Sequence, residues 1–193
     1  GMQQVVGKIA KNSNQSYPAA IFYAFKQSEV SQEGVSSTGW ATFLEAIITA
    51  GYEVVRTWPI RTENSTRMMG QGNNALASSV VLVCRKREVN NSAITRSEFI
   101  RTLSRELPAA IAALQSANVT PADMPQSSIG PGIGIFSRFA SVFEADDTKM
   151  QVRTALQLIN AALDEFLNDL HGDFDAETRV TTTWFEQNGY ERG

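Results

Sequence analysis

Hydrophobic and polar residues follow one another along the first half of the chain in patterns that predict a strand, a helix and a second strand. Residues 19–25 (AAIFYAF) are an almost continuous apolar run of strand length, typical of a strand covered on both faces, as in a parallel sheet. The apolar residues that follow this strand have helical spacing, and we expect a helix that Thr38 caps and that stops at Gly51. Its apolar positions are Trp40, Phe43, Leu44, Ile47 and Ile48. Residues 52–60 (YEVVRTWPI) predict the second strand, so this region indicates a right-handed parallel crossover unit.

A long polar connection separates this second strand from a third. Residues 79–85 (SVVLVCR) predict a strand antiparallel to 52–60, yet most hairpins are joined by only about two to five residues. A connection as long as 61–78 is usually tied to function or to disorder, and its composition favours function. Trp58 and Pro59 lie where the strand ends, and an aromatic residue beside polar groups is how proteins hold an unstacked base. The polar residues that follow are Arg61, Glu63, Asn64, Arg67, Gln71, Asn73 and Asn74.

The second half of the chain has helical periodicity. Thr95 and Glu98 form a predicted capping box that opens a helix with Ile100, Leu103, Leu107, Ile111 and Leu114 on one face, which Pro108 should kink or split. Thr120 opens a short helical piece, apolar spacing from Val152 to Leu170 predicts a long helix, and residues 175–188 predict a last one. We therefore expect a partial α/β unit in residues 1–90 and a helical region in 91–193.

Composition narrows the class of protein. The chain has 193 residues, 42% hydrophobic and 19% charged, and no apolar run approaches the roughly 18 residues of a membrane span. The lone cysteine, Cys84, excludes an internal disulfide and multi-cysteine zinc sites, and the lone histidine, His171, excludes clustered His ligands. We therefore expect a cytoplasmic, metal-free protein. Residues 1–118 carry 12 Lys/Arg against 8 Asp/Glu, whereas 119–193 carry 5 against 12, which is weak support for nucleic-acid contact in the first half.

Several candidate sites have simpler structural interpretations. Gly130, Gly132 and Gly134 resemble a nucleotide-binding loop, but no strand precedes them, and a tight turn with a helix starting near Pro131 is favoured. Cys84 in an apolar strand is interpreted as a buried hydrophobe, and His171 as a helix-end cation. The acidic runs 144–147 and 173–177 are interpreted as solvated helix caps, and the basic run 85–87 as a solvated strand end that could also contact phosphate.

Three longer stretches carry a resemblance to a known family. The runs YPAAIFYAFKQ, GWATFLEAIITAGYEVVRTWPIRTENSTR and ALASSVVLVCRKR resemble the latter part of the large adenine-specific DNA methylases that carry a zinc-ribbon insert. The runs IGPGIGIFSRFASVFEAD and VRTALQLINAALDE resemble the helical tail of the same proteins. The similarity covers nearly the whole chain and is most specific at residues 58–63 and 78–82.

The resemblance implies an S-adenosylmethionine-dependent methyltransferase sheet, in which an antiparallel seventh strand lies between the fifth and the sixth. On that arrangement residues 19–25 correspond to the fifth strand, 52–60 to the sixth and 79–85 to the seventh. The 61–78 loop would then cover the pocket for the flipped adenine. The implied DNA-binding residues are Lys26, Trp58, Pro59, Arg61, Glu63 and Arg67.

This sequence departs from the family at the sites of chemistry. It lacks the phenylalanine and glycine cofactor motif, the Asp/Asn-Pro-Pro-Tyr/Phe motif and the zinc-ribbon cysteines. We therefore expect a carboxy-terminal fragment that binds no S-adenosylmethionine and does not methylate DNA alone, with DNA as a partner. An open apolar edge at residues 21–25 should pair with the missing amino-terminal half or with a second copy. The alternatives are a non-enzymatic interaction module, a subunit of a split restriction-modification or phage-defence system, and an inert relic.

Overall fold

The computed structural model describes residues 1–24, 38–60, 79–88, 92–116 and 124–171. In chain order its elements are α1 Met2–Asn12, β1 Ala19–Ala24, α2 Thr38–Thr49, β2 Tyr52–Ile60, β3 Ser79–Lys86, β4 Ile94–Thr95, α3 Arg96–Ser116, α4 Met124–Arg138, β5 Val142–Phe143 and α5 Val152–His171. The fold is mixed α/β, with a small antiparallel sheet and helices. The helical pieces predicted around Thr120 and at 175–188, the acidic run 173–177 and the 61–78 loop lie outside the described residues.

Local signals in the sequence place several boundaries correctly. The strand β2 spans the predicted residues, and α2 ends before Gly51, whose φ of 91° is the left-handed conformation that stops a helix. The capping box at α3 is present: the Thr95 backbone N–H donates to a Glu98 carboxylate oxygen at 2.8 Å, and the Glu98 N–H donates to Thr95 Oγ1 at 3.3 Å. The Thr95 backbone N–H and the Thr95 hydroxyl both donate to the Glu98 carboxylate, and these two hydrogen bonds lower the pKa of Glu98. The helix α5 ends at His171, as predicted.

The strand order of the main sheet is β1-β3-β2, and β3 is antiparallel to both neighbours. The predicted antiparallel pairing of β2 and β3 is confirmed. Because β1 and β2 are each antiparallel to β3, they run in the same direction, but β3 separates them. The two strands are therefore not the adjacent parallel pair of a simple crossover unit.

One face of this sheet is covered and the other is open. On the covered face the ring of Tyr23 lies 4.9 Å from that of Trp40 and 4.7 Å from that of Phe43, both in α2. Successive side chains of a strand point to opposite faces, so the next residue, Phe22, points the other way and is 69% exposed. The prediction that residues 19–25 are covered on both faces is wrong, since burial in β1 alternates between half-buried and exposed along Ala19–Ala24.

The helix α4 runs beside β2 and corrects the interpretation of the glycine cluster. Gly130, Gly132 and Gly134 lie inside α4, so they form neither a phosphate loop nor a tight turn. A Cβ atom at Gly130 would overlap the side chain of Thr57 in β2, and one at Gly132 would overlap Ile159 in α5. A Cβ at Gly134 would lie 3.0 Å from the backbone oxygen of Val54. The glycines therefore allow α4 to pack closely against β2 on one side and α5 on the other.

Two further predictions are corrected around the helices, and one of the two alternatives for Pro108, a split of the helix, is excluded. The helix α3 includes Pro108 and continues through it to Ser116, so the proline does not split it. Phe99, and not the half-exposed Ile100, joins the buried face of α3. The acidic run 144–147 forms a turn and not a helix cap: the Asp147 N–H donates to the Glu144 oxygen at 3.1 Å, and the Glu144 carboxylate pairs with Arg96 at 2.9 Å.

Candidate nucleic-acid contact surface

The open face of the sheet presents two large aromatic side chains in one row. We define this open face by Ala20, Phe22 and Ala24 of β1, Val81, Val83 and Arg85 of β3, and Glu53, Arg56 and Trp58 of β2. Val81 pairs with Phe22 on one side and with Trp58 on the other, so these three residues cross the sheet in a line. Neighbouring strands lie about 4.8 Å apart, which separates the Phe22 and Trp58 backbones by about 10 Å. Trp58 is 52% exposed, and its aromatic surface is available to a ligand.

A bulge in β2 decides which of its residues lie on the open face. Val54 pairs with Cys84, and Arg56 pairs with Val83, the residue before Cys84 in β3. No residue of β3 is left to pair with Val55, which is therefore the extra residue of the bulge. Val54 is buried on the covered face, and without the bulge Arg56 and Trp58 would share its side of the strand. The extra residue reverses the alternation and places both side chains on the open face.

The basic run 85–87 divides into one exposed cation and two structural ones. Arg85 is exposed on the open face. Lys86 donates from Nζ to the backbone oxygen of Ser13 at 2.7 Å. Of the three residues in this run, which the sequence predicts to be solvated, only Arg85 is exposed enough to contact phosphate.

Arg87 holds three elements together. Its guanidinium donates to the backbone oxygens of Ser137 at 2.8 Å, Ile48 at 3.0 Å and Tyr52 at 3.2 Å. Burial lowers the pKa of Arg87, and the nearby charge of Glu53 opposes that shift. The interpretation of Arg87 as a solvated strand-end cation is therefore wrong, because its hydrogen bonds join the end of α4 to the end of α2 and the start of β2.

The structure places only part of the predicted DNA-binding set. Trp58 lies on the open face, and Pro59 pairs with Val80 in the covered row, although its side chain is outside the described part. Lys26, Arg61, Glu63 and Arg67 lie outside the described residues. Sequence reasoning did not single out Phe22 and Arg56, and it considered Arg85 for phosphate contact without placing it on the same surface as Trp58. The alternation of β1 contained a signal for Phe22, but the position of Arg56 depends on the bulge.

Cys84 is unsuited to nucleophilic chemistry. It is fully buried on the covered face of β3, and burial raises the pKa of its thiol to about 12. A thiol with that pKa holds almost no reactive thiolate near neutral pH. The prediction that Cys84 is a buried small hydrophobe is confirmed. Within the ranges described, no group of three or more His, Cys, Asp or Glu side chains is arranged to hold a metal ion.

An open cleft of about 790 Å³ lies where α1, α2 and α5 begin. Its polar lining includes Thr38, Glu45 and Arg153. Glu45 accepts the backbone N–H of Val152 at 3.0 Å, and Arg153 donates to Thr38 Oγ1. The charged groups of this cleft therefore join α2 to α5, and the open face remains the stronger candidate for a binding surface.

No family model, curated protein or solved structure matches this chain. None of the helices in the described ranges is long and apolar enough to cross a membrane.

Proposed function

We propose that this chain is the carboxy-terminal unit of an adenine-specific DNA methyltransferase and that it contributes a DNA-contacting surface. The observation that carries the proposal is Trp58, half exposed on the open face beside Arg56, two residues before the end of β2. An exposed indole can stack on an unstacked base, and an adjacent guanidinium can contact the phosphate backbone. Both groups are delivered to the same side of the sheet by the bulge at Val55.

The strand order supports the same proposal. In the methyltransferase arrangement implied by the resemblance, the antiparallel seventh strand lies between the fifth and the sixth. The order β1-β3-β2, with β3 antiparallel to both neighbours, agrees with that arrangement. The described part of β2 ends at Ile60, two residues beyond Trp58, and the sequence of the long polar connection begins there.

The chemistry would reside in another polypeptide segment. Because this sequence lacks the cofactor motif and the Asp/Asn-Pro-Pro-Tyr/Phe motif, the chain alone binds no S-adenosylmethionine and transfers no methyl group. The partner in this proposal is a methyltransferase half that carries those motifs, within the cytoplasm. Calorimetry with S-adenosylmethionine checks this part, and micromolar binding by the chain alone would overturn it.

DNA binding is tested by fluorescence anisotropy with two labelled duplexes, one fully paired and one holding a single unpaired adenine. At about 50 mM salt we expect binding to both, with preference for the unpaired base, because less unstacking is needed. Trp58→Ala should weaken binding to the unpaired adenine about tenfold and abolish the preference. Arg56→Gln should weaken binding to both duplexes. It should also reduce the slope of the logarithm of the binding constant against the logarithm of the salt concentration by about one.

Tyr17→Ala is the matched control, since Tyr17 is 72% exposed but lies outside the strands. It should leave both affinities unchanged. Absence of binding at low salt, or equal losses from Trp58→Ala and Tyr17→Ala, would contradict the proposed function.

A second candidate function is a non-enzymatic protein-interaction module, including a subunit of a split restriction-modification or phage-defence system. The observation that favours it is a second exposed apolar surface on α1, formed by Met2, Val5 and Ile9. These residues follow helical spacing and lie beside the buried Val6 and Ala10 on the helix surface, so the apolar stripe of α1 continues from buried to exposed positions. DNA binding that depends on Trp58 supports the first function, whereas a chain without DNA affinity at low salt supports the second.

A further inference from the structure

The open face carries two aromatic rings, and each of them is at least half exposed. Phe22 is 69% exposed and Trp58 is 52% exposed. Both residues pair with Val81, so they lie in one row across β1, β3 and β2. The side chain between them is the smaller one of Val81, so the two rings project beyond it. The function proposed above uses only Trp58, and it gives no reason for the exposure of Phe22.

The adjoining rows of the same face supply positive charge. Arg56 lies two residues before Trp58 in β2, about 7 Å along the strand. It pairs with Val83, so Arg85 is its diagonal neighbour on β3. Within the described ranges, neither guanidinium forms an ion pair or a hydrogen bond. Glu53 lies opposite Arg85 and offsets part of its charge, so Arg56 is the stronger candidate for contact with phosphate.

We propose that Phe22 is a second base-stacking residue, so that the open face binds an unpaired stretch of DNA through two separated bases, one on Phe22 and one on Trp58. Aromatic rings with basic side chains beside them are the means by which proteins hold single strands without reading their sequence. The inference rests on the proposed function, because it uses the same surface. It extends the ligand from one unstacked adenine to several unpaired nucleotides.

The distance between the two rings selects the kind of DNA. One strand lies between β1 and β2, so the Phe22 and Trp58 backbones are about 10 Å apart. Consecutive bases of a stacked strand are only about 3.4 Å apart along the helix axis. Bases that contact both rings must therefore be unstacked from each other. A paired duplex resists this separation, whereas an unpaired strand allows it.

The charge of the face favours DNA over an apolar protein surface. A protein that covered the row of Phe22 and Trp58 would also remove water from Arg56, which is costly unless the partner supplies an acceptor. A DNA strand carries one negative charge per nucleotide. The same ligand therefore provides a base for each ring and a phosphate for the guanidinium.

Two labelled duplexes that differ only in the number of unpaired adenines test the inference. One holds a single unpaired adenine, and the other holds a run of about four, enough to span about 10 Å. In fluorescence anisotropy at about 50 mM salt, the parent chain should bind the longer run about tenfold more tightly, because a second base can stack.

Phe22→Leu removes the aromatic face and keeps an apolar side chain. It should weaken binding to the run of adenines about tenfold and change binding to the single adenine less than about twofold. Phe22→Tyr retains an aromatic face and should restore the parent affinity for the run. Thermal unfolding of both variants should match that of the parent, because Phe22 is mostly exposed.

Tyr17→Ala removes an exposed ring outside the strands and should alter neither affinity. Equal affinity of the parent for the two duplexes, or equal effects of Phe22→Leu on both, would overturn the inference. Binding to the single adenine that still depends on Trp58 would then leave the proposed function intact. Absence of binding to both duplexes at low salt would overturn the inference and the proposed function together, and would favour a protein partner for this face.

Discussion

The two outer strands of the sheet, β1 and β2, differ in what contacts their outer edges. At β2 the helix α4 lies against the edge, and the Ser137 hydroxyl accepts the backbone N–H of Val54 at 2.8 Å. At β1, no described element pairs with the outer edge, and its sequence carries no protective charge. Among the described elements, a helix therefore packs against the outer edge of β2, and no strand pairs with the outer edge of β1.

The closed edge depends on small residues in α4. Gly130 and Gly134 are four positions apart, and residues at that spacing lie on the same face of a helix. Both face β2, where a Cβ would meet Thr57 or the Val54 backbone oxygen. Without side chains at these positions, the α4 backbone comes close enough for Ser137 to reach the edge strand.

The largest expected effect comes from enlarging that contact. Gly130→Val should force α4 away from β2 and lower the free energy of unfolding by about 3 kcal/mol or more, because overpacking and backbone displacement add to each other. Urea unfolding measures the change. Gly7→Ala in α1 is the control: a Cβ there meets nothing within 4 Å, so stability should stay equal or rise. Equal stability of the parent and Gly130→Val would show that α4 does not close the edge through this contact.

A smaller effect should follow from removing the hydrogen bond at the same edge. Ser137 is fully buried, and its hydroxyl also donates to the Gly134 oxygen at 3.3 Å. Ser137→Ala leaves the Val54 N–H without this acceptor and should lower the free energy of unfolding by about 2 kcal/mol. Amide exchange at Val54 should accelerate accordingly.

Ser141→Ala provides the comparison for Ser137→Ala, since the exposed Ser141 hydroxyl bonds only to the neighbouring Ala140 oxygen among the described contacts. A change within about 0.5 kcal/mol is expected there. If the two serine variants lose the same stability, the hydroxyl of Ser137 has no special role at the edge.

The smallest effect concerns Cys84 on the central strand, opposite Ala19 of β1 and Val54 of β2. Burial raises the pKa of its thiol from 9.0 to about 12, so between those values the unfolded chain loses a proton that the folded chain keeps. Below pH 9 the Cys84 thiol makes its full contribution to the free energy of unfolding. Above pH 9 the free energy of unfolding falls by about 1.4 kcal/mol per pH unit, because only the unfolded chain releases the proton. Thermal and urea unfolding between pH 8 and about pH 10 measure a loss of about 1.4 kcal/mol.

Cys84→Ala separates this contribution from other groups that titrate at high pH. The variant should be less stable than the parent at pH 8, and its stability should fall less steeply above pH 9. Parallel pH profiles for the two proteins would mean that Cys84 ionises as readily in the folded chain as in the unfolded one.

Local patterns in the sequence predict most elements of the fold, and contacts between distant segments account for the errors. The bounds of β2, the stop at Gly51 and the Thr95–Glu98 box follow from residues within a few positions of each other. The local pattern of the α4 glycines predicts a turn, but their role depends on Thr57 and Ile159, which are distant in sequence. Arg87 was assigned to solvent because its three carbonyl partners come from α2, β2 and α4.

The candidate site likewise contains a residue that local sequence predicts and residues that only strand pairing places there. Trp58 was singled out because an aromatic residue at the end of a strand precedes an unusually long polar connection. Phe22, Arg56 and Arg85 became part of the same surface only through strand pairing. A single extra residue at Val55 shifts the alternation of β2, and a periodic pattern alone does not show where such a shift falls.

The sequence by itself determined where helices and strands form, because helical periodicity, strand composition and capping act over a few residues. It also determined that Cys84 is a buried hydrophobe, since its neighbours in the chain are apolar. Only the tertiary structure decided that α4 covers one edge and that the bulge places Trp58 on the open face, whereas the position of β3 between β1 and β2 was implied by the resemblance and by no local pattern. These features depend on the pairing of segments far apart in the chain, where register and close approach are set by the partner as much as by the residue itself.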